Sequence, residues 1–91
     1  MKEISICIPR VEKMLKRDVI YKHIQKLDVG NIKSIVEKPL RNEDNYKRII
    51  IKMQINQYNK LGAYMLDRFS KGENVKLVYN PSTYWKLVSS Y

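Results

Sequence analysis

Cysteine and histidine are each present once in these 91 residues, as Cys7 and His23. A lone thiol excludes an internal disulfide, a Cys-x-x-Cys motif and any multi-cysteine metal site. His23 falls mid-helix beside an apolar stripe, so a structural or surface role is expected rather than that of a base or ligand. Glycine and proline number three each. That leaves no glycine-rich phosphate cradle and no Pro/Gly/Ser linker to divide the chain. Apolar runs such as Ile49-Ile50-Ile51 fall far short of the roughly 20 residues that span a bilayer. Residues 1–15 are interrupted by Glu3, Pro9, Arg10, Glu12 and Lys13, so no signal-peptide hydrophobic segment is expected there. Acids are scarce and scattered, and only Glu43-Asp44 are adjacent, in a polar loop. No pair of carboxylates is set up for acid–base work. These absences point to an intracellular, non-enzymatic chain with no cofactor, no metal, no membrane attachment and no small-molecule substrate.

What is present is positive charge. Eighteen Lys+Arg stand against nine Asp+Glu, a net +9, with Lys outnumbering Arg 13 to 5. Such an excess favours polyanionic partners, nucleic acid first among them. Apolar residues at 44% and charged residues at 30% are ordinary for a folded domain. The length allows one domain, residues 1–91, with a thin core.

The hydrophobic period changes along the chain. Ile4-Ser5-Ile6-Cys7-Ile8 alternates as a half-buried strand does, and Pro9 is expected to end it. Over 17–27 the period becomes helical, with Ile20, Ile24 and Leu27 on one stripe and Gly30 expected as the left-handed cap beyond it. Asn31–Lys38 reads as a strand and Pro39 to Asn45 as a polar loop. Tyr46–Ile55 is the clearest strand, sending Ile49, Ile51, Met53 and Ile55 one way and Arg48, Ile50, Lys52 and Gln54 the other. Residues 58–71 form a second helix in which Gly62 marks a close approach to the sheet. Val75–Tyr79 and Tyr84–Ser89 flank an Asn80-Pro81-Ser82-Thr83 turn. The order β-α-β-β-α-β predicts an α+β, ferredoxin-like sandwich: a four-stranded antiparallel sheet, two helices on one face, and a last strand that can split into a hairpin.

On that layout the face without helices should present Ser5, Cys7, Tyr46, Arg48, Ile50 and Lys52, a basic ridge around an apolar centre, with Arg10 at the rim. Alternation leaves open whether Tyr84 or Trp85 reaches this face. Trp85 there would be the best stacking residue; otherwise it closes the core.

The layout resembles an RNA-recognition-motif (RRM) domain. In that family the first strand carries an aromatic where Ser5 stands, and the third carries aromatics where Arg48 and Ile50 stand. The chain is more specifically similar to small RRM-like proteins encoded by nucleocytoplasmic large DNA viruses. The likeness rests on Ser5-Ile6-Cys7-Ile8-Pro9-Arg10-Val11 and on Leu77-Val78-Tyr79 through Trp85-Lys86-Leu87-Val88, with Gly30-Asn31-Ile32 and Lys47 to Ile51 between them. This resemblance implies an RRM-like fold and, for a viral protein, residence in the infected cell or virion. With the stacking positions changed, contact through phosphates is expected over reading of bases. The expected function is low-specificity binding of single-stranded nucleic acid, RNA before DNA, through Ser5, Cys7, Arg10, Tyr46, Arg48, Ile50, Lys52 and Trp85. The alternative is a protein-interaction or self-associating module using the same face.

Overall fold

The computed structural model describes residues 1–90 and is α+β, with two helices and one five-stranded antiparallel sheet. The elements are β1 (Lys2–Glu12), α1 (Arg17–Gln25), β2 (Gly30–Pro39), β3 (Tyr46–Ile55), α2 (Lys60–Ser70), β4 (Val75–Asn80) and β5 (Thr83–Ser89). They are ordered β2-β3-β1-β5-β4 across the sheet. The expected four strands are thus five: the turn at Asn80 to Thr83 closes a full hairpin and adds β4 as an outer edge.

Alternation places the core. Ile6, Ile8, Ile49, Ile51 and Ile55 are fully buried on one sheet face, and both helices pack there through Ile20, Ile24, Met65 and Phe69. At about 25 cal/mol per Å² of apolar surface removed from water, each such side chain stabilises the fold by roughly 1.5–3 kcal/mol. Asn59 caps α2 by accepting from the Gly62 N–H, satisfying one of the first-turn donors.

Three local expectations are corrected. Pro9 does not end β1: the strand runs to Glu12, and its pairing with β3 shifts register between Ile8 and Val11. The bulge lets the strand continue past the proline. Gly30 is not a left-handed cap; Asp28 takes that conformation, at φ 53°. Gly30 is needed instead because a Cβ there would lie 1.8 Å from the Gln54 carbonyl oxygen of β3. Trp85 is 3% exposed on the helix-covered face, stacked on Tyr79 at 4.3 Å, with the His23 ring edge-on at 5.6 Å. It therefore drops out of the open-face candidates. Gly62 behaves as expected: a Cβ there would come within 2.4 Å of the Asn56 carbonyl oxygen.

Candidate functional site

The register assembles the open face into transverse rows. Val36 of β2 pairs with Ile50 of β3, Ile50 with Cys7 of β1, and Cys7 with Val88 of β5. This gives an apolar row across four strands. Cys7 is buried, yet it lies outside the cluster of core residues beneath the helices. Burial between these neighbours pushes its thiol pKa up, while the nearby Arg48 charge pulls it down more weakly.

One step along, the row is basic. Lys38 of β2 pairs with Arg48 of β3, and Lys86 of β5 pairs with Lys76 of β4. Between these pairs lies the β1 bulge with Pro9 and Arg10. The β1–β5 ladder explains the gap. Ser90 donates to the Ser5 carbonyl at 2.8 Å and Cys7 pairs with Val88, so the next hydrogen-bonding position on β1 is Pro9, which cannot donate. The ladder stops there, and Lys86 sits where the β4–β5 hairpin leaves β1. The outcome is a discontinuous belt of cations, the Lys38–Arg48 pair on one side of the β1 bulge and the Lys86–Lys76 pair on the other. On the other side of the apolar row, Lys52 pairs with both Ser5 and Ser34. Val36, Lys38, Arg48, Ile50, Lys52 and Ser90 line a shallow depression of about 430 Å³.

Five cations of the chain are held by carboxylates; the cations of the belt, like Lys2, Lys13, Lys16, Arg17, Lys22, Lys26, Arg41 and Lys60 elsewhere among the described residues, are not. Arg10, Lys33, Lys47, Arg68 and Lys71 are ion-paired, with Glu43, Glu3, Glu37, Glu73 and Asp67 respectively. Among the described residues, Lys38, Arg48, Lys52, Lys76 and Lys86 have no such partner. Two of the sequence-predicted residues are already engaged within the chain. Arg10 lies over the Tyr46 ring, 3.9 Å from its centroid, and contacts Glu43 at 3.0 Å. Lys47 takes no part in this face. It points beneath the sheet, donating to the Leu15 carbonyl at 2.6 Å and to the Glu37 carboxylate.

Ser5, Cys7, Arg48, Ile50 and Lys52 are thus brought together on the open face as the sequence predicts, with the engaged pair Arg10 and Tyr46 at its rim. Lys76 and Lys86 were missed, and the choice between Tyr84 and Trp85 was left open. Tyr84 is on the open face, 45% exposed, opposite Val78. The signal for it was the alternation itself: once Trp85 is inward, its neighbour must face outward. The lysines of β2, β4 and β5 could not be aligned with Arg48 without the pairing register. Among the described residues, no group of His, Cys, Asp and Glu is arranged to hold a metal ion. No helix among the described residues is long and apolar enough to cross a membrane. No family model, curated protein or solved structure matches the chain.

Proposed function

We propose that this chain is a non-enzymatic binding module for single-stranded nucleic acid, RNA before DNA, which it holds mainly through phosphates. The observation that carries this reading is the belt of Lys38, Arg48, Lys86 and Lys76, with Lys52 beside it, left without carboxylate partners on a face that carries no helix. Cations held on a sheet by a fixed register form a preorganised track for a polyanion. Disregarding β4, the strands run β2-β3-β1-β5 with the helices behind them, which supports reading the fold as an RRM-like sandwich carrying an extra edge strand. The resemblance to RRM-like proteins of large DNA viruses belongs to the same proposal.

The test is binding of labelled oligo-U and of mixed-sequence RNA at about 50 and 200 mM salt. If about four phosphates are neutralised, affinity falls roughly 50-fold over that range, and similarly for both sequences. The double variant Arg48→Glu/Lys86→Glu should lose at least about tenfold at the lower salt. Absence of micromolar binding by the wild type at the lower salt would overturn the proposal.

A second reading rests on the apolar row Val36, Ile50, Cys7 and Val88, which a second copy of the chain could cover in an isologous dimer. Light scattering over a wide concentration range tests it. A strict monomer removes this version.

A further inference from the structure

The cations of the belt do not by themselves distinguish an unpaired strand from a duplex, since both offer phosphates. Selectivity for a single strand needs a group that engages the face of an unpaired base. The strand-one and strand-three positions offer Ser5, Arg48 and Ile50, none of them aromatic, and the one tryptophan is buried under α1. Tyr46 has Arg10 over its ring.

Tyr84 is aromatic and 45% exposed, and the cation over its ring, Lys76, lies farther out than Arg10 does over Tyr46 and has no carboxylate to hold it there. Tyr84 precedes Lys86 by two residues on the same face of β5, about 7 Å along the strand, so its ring stands beside the belt. Its partner across the hairpin is Val78, 68% exposed, which gives an apolar floor next to the ring. The ammonium of Lys76 lies 5.0 Å from the ring centroid. A nucleotide stacked on the ring would therefore bring its phosphate within reach of a belt cation. The hairpin is also held rigid. Beyond Val88 it has no ladder to β1, but on its inner side Trp85 stacks on Tyr79 and both rings meet His23 of α1 edge-on, at 5.6 and 6.0 Å. An aromatic platform held in place loses little entropy on binding.

We propose that Tyr84 is the base-stacking platform of this face and is what makes the basic belt prefer unpaired strands. The inference rests on the nucleic-acid reading above and deepens it. The ligand class is a single strand of RNA or DNA with at least one accessible base, of any identity, because every base has a π-face.

The experiment compares wild type, Tyr84→Ala and Tyr84→Phe on three labelled probes of equal length: oligo-U, an abasic phosphodiester oligomer and a blunt duplex. Wild type should bind oligo-U roughly 5- to 150-fold better than the abasic oligomer, the range of one stacked base. Tyr84→Ala should lose that preference while keeping the abasic affinity and the salt slope unchanged. Tyr84→Phe should restore the preference and serves as the check that the hairpin is intact. Equal binding of oligo-U by Tyr84→Ala and wild type would overturn the role of Tyr84 and leave the belt standing, as would an equal loss on all three probes. A wild type that binds none of the probes would overturn both.

Discussion

The two faces of β3 are built from alternate residues of one ten-residue strand and have opposite fates. Beneath the sheet Ile49, Ile51, Met53 and Ile55 are 2% exposed or less. Above it Arg48 and Lys52 are exposed and Ile50 and Gln54 half-buried. The buried face holds the fold together through packed area. The open face adds little to stability, and its cations are kept apart from the acids that would neutralise them. Stability and binding can therefore be perturbed separately by moving one residue along the strand.

The largest expected effect is on the buried face. Ile51→Ala should lower the unfolding free energy by about 2–5 kcal/mol, read from urea denaturation. Ile50→Ala, next to it but on the open face, should cost less than about 1.5 kcal/mol. Equal costs would break the comparison by making the open face a second core.

Lys47 is the exception on the buried face and sharpens the contrast. Its ammonium bridges the Leu15 carbonyl and Glu37, tying β3 to β2 and to the segment after β1. Lys47→Ala should cost about 1–3 kcal/mol, because it leaves the Leu15 carbonyl and the carboxylate without their donor. An exposed cation of the belt behaves otherwise. Arg48→Ala or Lys86→Ala should change stability by no more than about 0.5 kcal/mol in the same assay, while RNA affinity falls.

The smallest effect is at Cys7. Burial raises its thiol pKa above the ordinary 9.0, so the folded state holds the proton more tightly than the unfolded chain does. Its contribution is fully present below the unfolded value and is lost as pH rises from that value through the folded one. Alkylation of native protein near pH 8 should be much slower than that of urea-unfolded protein. Equal rates would mean that the apolar row does not shield the thiol.

The inner face of β3 and the stripes of both helices were legible in the sequence because burial imposes a period on a single segment, and a period is local information. Ser5, Cys7, Arg48, Ile50 and Lys52 could be assigned to one face for the same reason. The course of β1 past Pro9 was not legible, since a bulge is decided by the strand alongside it. Gly30 was misread because its crowding comes from Gln54, 24 positions further along the chain.

By itself, then, the sequence determined the α+β class, the residues of the core, the two-sidedness of the strands and the net charge of +9. Tertiary structure alone decided that Lys38, Arg48, Lys86 and Lys76 form the two halves of a belt, that Trp85 turns inward and that Tyr84 turns outward. The physical reason is that alternation sets which side of a strand a residue occupies, whereas its neighbours on that side depend on register between segments far apart in the chain.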